Sequence, residues 1–108
     1  TPGGSRIITM VLLAAIDFLH GRGELNDWLA KGRYHHQYYP DVVQFEPGAL
    51  SKSEQEELTQ LGYQLKERNS SYGNMHAVLF NSKSGSLKAA SDPRWLGKAE
   101  VRVKAAGQ

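Results

Sequence analysis

The sequence predicts one α+β domain in which helices pack on one face of a mixed or antiparallel sheet. Three observations support this prediction. The chain has 108 residues, of which 40% are hydrophobic, so a single domain with a buried core is expected. The first third of the chain carries two helical patterns. The rest alternates extended segments with one further helix, which gives the order α-α-β-β-α-β-β-β.

The first helix is predicted over residues 7–19, where 11 of 13 positions are apolar. Gly4 or Ser5 is expected to cap its start, and Gly21 follows its end. A helix that is apolar nearly all round is buried on several sides, so a sheet and other helices are expected around this one. The chain offers few such elements, and it is therefore expected to be a piece of a larger protein.

Two further helices are marked by different signals. Leu25, Trp28 and Leu29 recur at helical spacing, which predicts a short amphipathic helix. Ser51 and Glu54 have the spacing of a capping box, which predicts a helix start. The inward positions of this third helix are expected to be Leu50, Leu58 and Leu61.

Extended segments are predicted on both sides of the third helix. Residues 33–50 are rich in aromatic and β-branched side chains and are interrupted at Pro40 and Pro47. Near the end of the chain, Asp92 and Arg94 could form an ion-pair site, but an Asp-Pro pair is typical of a turn. A structural turn is therefore favoured, with Arg94 bridging to another segment. Further strands are predicted over residues 63–68, 76–80 and 86–90, the last two joined as a hairpin.

Composition and charge exclude several classes of function. The 13 basic residues are spread among 11 acidic ones and the net charge is only +2, so nucleic acid is not expected as a partner. The chain has no cysteine, which excludes disulfides and cysteine-zinc sites. The apolar run of 13 residues is shorter than the roughly 20 residues a membrane-spanning helix needs, so no membrane span is expected.

Histidines and tyrosines near the middle of the chain are candidates for a metal site and for a surface that stacks on bases. His35 and His36 are adjacent, and adjacent side chains on a strand point to opposite faces, which argues against a shared metal ion. Packing and hydrogen bonding in the core is the favoured interpretation, and no metal site is predicted. Tyr34, Tyr38 and Tyr39 could stack on bases. Because no basic cluster accompanies them, they are interpreted as core or interface aromatics.

The first residues raise a choice between two kinds of catalytic group. Thr1 could be a nucleophile that uses its own amine as base. Alternatively, Gly3 and Gly4 could present backbone N–H groups to an anion at the start of the first helix. From the residues alone, a plain glycine turn before a helix is the simpler interpretation.

Four blocks of residues carry a family resemblance. They read P-G-G-S-R-I-I-T at 2–9, R-Y-H-H-Q at 33–37, P-D at 40–41 and A-S-D-P-R at 90–94. In this order and spacing they resemble the γ-glutamyltransferase family, also called γ-glutamyltranspeptidase or glutathione hydrolase. The resemblance implies a fragment of an N-terminal-nucleophile hydrolase, an α-β-β-α sandwich built from a large and a small subunit. It also implies self-cleavage of a precursor and a threonine acyl-enzyme that passes the glutamyl group to water or an amino acid.

The resemblance also assigns roles within this chain. Residues 1–94 correspond to the C-terminal part of the small subunit, and 95–108 are a loosely matched tail. Thr1 matches the residue before the P-G-G block, whereas the nucleophile and the residues that hold the substrate lie upstream. Gly3 and Gly4 match the pair whose N–H groups form the oxyanion hole. The 108-residue chain alone is therefore expected to be inactive.

The expected partners follow from the same resemblance. They are a γ-glutamyl substrate such as glutathione, the remainder of the small subunit, and the large subunit; no cofactor is implied, and the family suggests a periplasmic or extracellular location. A γ-polyglutamate-cleaving relative is one alternative, and a non-catalytic binding or structural module on the same scaffold is another. The chain departs from the family at Lys31-Gly32, where alanine and proline are usual, and after Arg94.

Overall fold

Residues 2–104, the part described by the computed structural model, form three helices and five short strands in the predicted order. The helices are α1 (Arg6–Leu19), α2 (Leu25–Ala30) and α3 (Lys52–Gln60). The strands are β1 (Tyr34–His35), β2 (Val43–Phe45), β3 (Leu65–Glu67), β4 (His76–Phe80) and β5 (Leu87–Ser91). The predicted α+β class is confirmed.

The strands form two separate sheets, whereas a single sheet was expected. In the first, β2 pairs antiparallel with β1 and parallel with β3, and α3 makes the crossover that a parallel pair requires. In the second, β4 and β5 form the predicted antiparallel hairpin. This hairpin packs on α2 and does not extend the edge of the first sheet.

Two apolar cores hold these elements together. The larger lies between α1, α2 and the hairpin, and the smaller lies between β2 and the start of α3. The buried members are Met10, Leu25, Leu29, Met75 and Ala90 in the first core and Val43, Phe45 and Leu50 in the second.

Within the described residues, helix α1 is buried along one side only, and its expected burial on further sides stays a prediction for the larger protein. Met10 and Asp17 are its buried residues. Its partners within the described chain, α2 and β1, contact that one side. A row of large apolar side chains is left exposed, and we call this the α1 apolar row: Ile8, Val11, Leu12, Phe18 and Leu19. None of the helices in residues 2–104 is long and apolar enough to cross a membrane.

The helix caps follow the sequence in one case and depart from it in another. Ser51 caps α3, where the Glu54 N–H donates to Ser51 Oγ and the Ser51 N–H donates to Glu54 Oε1. Ser5 makes no cap, because its hydroxyl donates to Gln37 Oε1 across the structure at 2.9 Å. The inward prediction was wrong for Leu61, which is 74% exposed at the end of α3.

Candidate functional site

The loop before α1 is shaped by its two glycines. Gly3 has φ 151° and Gly4 has φ 59°, backbone conformations that side chains disfavour. A Cβ atom on Gly3 would lie 2.6 Å from Cε of Met10, so the loop also passes close over the core. The carbonyls of Gly3 and Gly4 accept hydrogen bonds from the N–H groups of Arg6 and Ile7 and so start the helix.

The N–H groups of the same two glycines are left open. Both residues are exposed, and within residues 2–104 neither N–H donates to a protein acceptor. They lie at the N-terminus of α1, a helix of 14 residues whose dipole places partial positive charge at this end. Backbone N–H groups in this setting bind anions or an oxygen on which negative charge develops.

A hydrogen-bonded chain of side chains fixes the start of α1 to β1. The hydroxyl of Ser5 and Nε2 of His35 both contact Gln37 Oε1 at 2.9 Å, and Thr9 Oγ1 lies 2.7 Å from His35 Nδ1. Since an amide oxygen only accepts, a neutral His35 carries its hydrogen on Nε2 and accepts from Thr9 at Nδ1. The position of the glycine loop is thereby tied to a buried histidine.

The adjacent histidines separate, and the interpretation of both as core residues was wrong for His36. His35 is buried against α1, whereas His36 is exposed and pairs with Asp41 Oδ1 at 2.5 Å. Within residues 2–104, no group of three or more His, Cys, Asp or Glu side chains is placed to hold a metal ion. With Thr9 and Gln37 in contact with its two ring nitrogens, His35 is a structural hydrogen-bonding residue.

Of the core and interface roles expected for the tyrosines, the core role was wrong, and the interface role stays a prediction. Tyr38 is 96% exposed and Tyr39 is 81% exposed, and Tyr34 is partly exposed. Tyr38 and Tyr39 lie in the loop between β1 and β2, with a cis peptide bond between Tyr39 and Pro40. Together with Ser5, Ile8 and Thr9 they border an open groove of about 520 Å³ beside the glycine loop.

Sequence reasoning favoured a structural turn over an ion-pair site at Asp92 and Arg94, which was wrong. The structure has a mostly buried ionic cluster there, which we call the buried quartet: Arg33, Glu46, Asp92 and Arg94. The Arg33 guanidinium donates to Asp92 Oδ2 at 2.6 Å, and both side chains are at most 3% exposed. Arg94 donates to both oxygens of Glu46, at 2.6 and 2.7 Å, and to Asp92 Oδ1 at 3.1 Å. The predicted bridge from Arg94 is confirmed, and it reaches the backbone carbonyls of Leu29 and Lys31 as well.

The quartet keeps its carboxylates ionised. Burial of Glu46 opposes ionisation, but hydrogen bonds from the Arg94 side chain and from the N–H groups of Tyr72 and Arg33 outweigh it and lower the pKa below 4.5. Burial likewise opposes ionisation of Asp92, and hydrogen bonds from the Met75 and Arg94 N–H groups and both arginine side chains lower its pKa below 3.8. The quartet joins the two sheets. Arg33 and Glu46 flank the strands of the first sheet, whereas Asp92 and Arg94 follow β5 in the second. The sign of the quartet in the sequence is that Arg33 and Arg94 each belong to a motif block, at 33–37 and 90–94.

Two expectations lie outside the described residues. Thr1, the residue before the P-G-G block, is one, and the last part of the loosely matched tail, residues 105–108, is the other. Residues 95–104 are described and contain no helix or strand.

The chain matches one family model and is similar in sequence to proteins of two organisms. The family model described as gamma-glutamyltranspeptidase matches residues 1–101. The chain is 34% identical over 99 residues to the glutathione hydrolase proenzyme of Pseudomonas aeruginosa. It is 32% identical over 100 residues to glutathione hydrolase proenzyme 2 of Schizosaccharomyces pombe. Each match covers 90% of this chain, but the chain spans only 17% and 16% of those two relatives.

Solved structures are similar over the same region. The gamma-glutamyltranspeptidase of Pseudomonas nitroreducens, complexed with L-DON, superposes with a TM-score of 0.83 at 33% identity, covering 95% of this chain and 53% of that one. An acivicin-inhibited gamma-glutamyltranspeptidase superposes with a TM-score of 0.74 at 30% identity, covering 86% of this chain and 50% of that one. The chain therefore spans about half of each solved chain.

Proposed function

Because the chain belongs to the γ-glutamyltranspeptidase family, we propose that it is the C-terminal part of the small subunit of an enzyme that cleaves γ-glutamyl amide bonds. Its α+β fold is that of an N-terminal-nucleophile hydrolase. In this proposal a threonine outside the chain attacks the γ-glutamyl carbonyl. The acyl-enzyme then passes the glutamyl group to water or an amino acid, with glutathione as the default donor.

Within that reaction this chain supplies the oxyanion hole. The observation that carries the proposal is the pair of N–H groups of Gly3 and Gly4, which are exposed at the start of α1 without an acceptor in residues 2–104. When the nucleophile adds to the carbonyl, negative charge develops on the carbonyl oxygen. Two preorganised N–H donors and the helix dipole stabilise that charge without rearranging.

The remaining partners in the proposal are the rest of the small subunit and the large subunit. The α1 apolar row supports them, because a row of large exposed apolar side chains is typical of a surface that another element covers. The short span of this chain relative to its curated relatives agrees with the same arrangement.

The experiment compares variants of the whole enzyme that carries this chain. Gly3→Pro removes one N–H donor, and we expect turnover of a chromogenic γ-glutamyl anilide to fall by about 10²- to 10³-fold. Gly3→Ala is also strained at φ 151°, but it keeps the N–H and its Cβ meets the flexible end of Met10, so turnover should fall much less than with Gly3→Pro. Gly48→Ala is the control for a side chain at a positive φ in another loop, since Gly48 has φ 77° with open space around it.

Thermal melts of all three variants separate loss of the donor from loss of the fold. Comparable melting temperatures with a large difference in turnover between Gly3→Pro and Gly3→Ala would support the oxyanion role. Equal turnover of these two variants would contradict it. Replacement of Thr1 by Ser should leave turnover nearly unchanged. Thr1→Ala removes the hydroxyl, and abolished turnover with that variant would make Thr1 a catalytic group instead.

A further inference from the structure

The open groove beside the glycine loop is bordered by two aromatic rings, and we call it the tyrosine groove. Tyr38 and Tyr39 line it and are 96% and 81% exposed. Ser5, the residue that follows the glycine pair, lines it as well. Its volume of about 520 Å³ lies within the range of roughly 300–1,000 Å³ that is usual for small-molecule sites. The groove therefore adjoins the N–H groups assigned above to the oxyanion hole.

One side-chain amide ties the loop that carries the tyrosines to the glycine loop. Oε1 of Gln37 accepts from the Ser5 hydroxyl at 2.9 Å, and Nε2 of Gln37 donates to the Tyr39 carbonyl at 2.5 Å. The same loop is held by the pair between His36 Nε2 and Asp41 Oδ1. The backbone that presents the two rings is thus held in place relative to the glycine pair.

The lining of the tyrosine groove suits an uncharged apolar group. Among the described residues that line it, none is an aspartate, glutamate, lysine or arginine. Three of its polar side chains, Thr9, His35 and Gln37, are hydrogen-bonded to one another in sequence. Two tyrosine rings and Ile8 supply most of the remaining surface, and aromatic rings pair favourably with a further ring.

Charge decides which part of a γ-glutamyl amide fits this lining. With the carbonyl oxygen at the glycine N–H groups, the glutamyl side and the amine side extend in different directions. The glutamyl side carries an ammonium and a carboxylate, and each of these charges requires a polar or charged partner once it leaves water. The amine side carries no obligatory charge, so it is the side that matches the groove.

We propose that the tyrosine groove binds the amine side of the substrate and selects amines that carry an aromatic ring. This inference rests on the proposed function. In the acylation step the threonine oxygen replaces the amine on the carbonyl carbon, the hydroxyl proton goes to the amine nitrogen, and the amine leaves through the groove. An amine that accepts the glutamyl group enters by the same groove, because that transfer reverses the acylation step.

The test measures kcat/KM of the whole enzyme for γ-glutamyl benzylamide and γ-glutamyl methylamide. Both release a primary alkyl amine, so the ring is the main difference between them. We expect the unsubstituted enzyme to favour the benzylamide by about tenfold or more. The double variant Tyr38→Ala/Tyr39→Ala should lose about tenfold of that ratio, since both rings are removed. Each ratio comes from one preparation, so it does not depend on how much of the variant is folded.

Two controls separate the rings from other effects of substitution. Tyr38→Phe/Tyr39→Phe keeps both rings and should keep the ratio. Trp95→Ala removes another exposed ring, 71% accessible, which does not line the groove, and it should leave the ratio unchanged. An equal loss of the ratio in Trp95→Ala would overturn the inference.

The remaining outcomes decide between the groove and its alternatives. An unchanged ratio in the double alanine variant would overturn the inference, as expected if another segment of the enzyme fills the groove. Absence of a preference in the unsubstituted enzyme would overturn it as well.

A second measurement needs no variant. When benzylamine and methylamine compete for the acyl-enzyme of the unsubstituted protein, we expect the benzylamide to be the main product, and equal products would overturn the inference. Hydrolysis of neither amide would contradict the proposed function and this inference with it. Hydrolysis of both amides without ring selectivity would contradict this inference alone.

Discussion

Asp92 is the residue on which the buried quartet depends most. Its oxygens accept from the side chains of Arg33 and Arg94 and from the N–H groups of Met75 and Arg94, and its side chain has no exposure to solvent. Asp92→Asn should therefore lower the free energy of unfolding by about 3 kcal/mol or more, because a buried guanidinium loses its counter-charge.

Urea denaturation of the chain at neutral pH measures this loss. The matched control is Glu100→Gln, which breaks an exposed pair with Arg102 and should leave the denaturation midpoint unchanged. Equal midpoints for Asp92→Asn and the unsubstituted chain would show that the quartet contributes little to stability.

Glu46 and Asp92 together predict a direction for the dependence of stability on pH. Both pKa values are lowered in the folded chain, from 4.5 and 3.8 respectively, so below those values the unfolded chain binds more protons. Their stabilisation is then fully present above about pH 5 and is lost as the pH falls through the folded values. Glu46→Gln should flatten this acid slope in urea denaturation series, whereas replacement of the exposed Glu56 by Gln should preserve it.

At the scale of elements, the cap formed by Ser51 and Glu54 is expected to stabilise α3. The helix has no fully buried residue and packs on the second core through Leu58, so its reciprocal cap is expected to contribute to its stability. Ser51→Ala should lower the free energy of unfolding by about 1 kcal/mol. Urea denaturation followed by circular dichroism measures this, with Ser82→Ala in the exposed hairpin loop as control. A loss equal to that of the control would show that the Ser51 cap does not hold the helix.

The elements also show where sequence reasoning succeeds. The capping box of Ser51 and Glu54, the apolar run of α1 and the hairpin of β4 and β5 depend on neighbours in sequence, and all three were predicted. Features that depend on contacts between residues distant in sequence were harder to predict. The exposure of Leu61 depends on what packs against the end of α3, and the pairing of Arg33 with Asp92 joins residues 59 positions apart. The glycine loop was located through its motif, while the acceptor-free state of its N–H groups needed the structure.

At the scale of the whole molecule, we expect the 108-residue chain to lack γ-glutamyl hydrolase activity. The proposal gives it two oxyanion donors but neither the nucleophile nor the groups that seat the glutamyl substrate, and donors without an oriented substrate contribute little. The measurement is anilide hydrolysis by the purified chain beside the whole enzyme. Turnover that persists in the chain and disappears with Thr1→Ala would place the nucleophile at Thr1.

The buried quartet has a consequence for kinetics. Its contacts close long loops, since Arg33 and Asp92 are 59 positions apart and Arg94 reaches a carbonyl 65 positions earlier. Closure of such loops costs entropy before the contact is made, so these contacts are expected to form after the folding transition state. Stopped-flow measurements should then show that Asp92→Asn speeds unfolding and barely changes folding, with a φ-value below about 0.3. The quartet would thus govern how long the folded chain survives and not how quickly it forms.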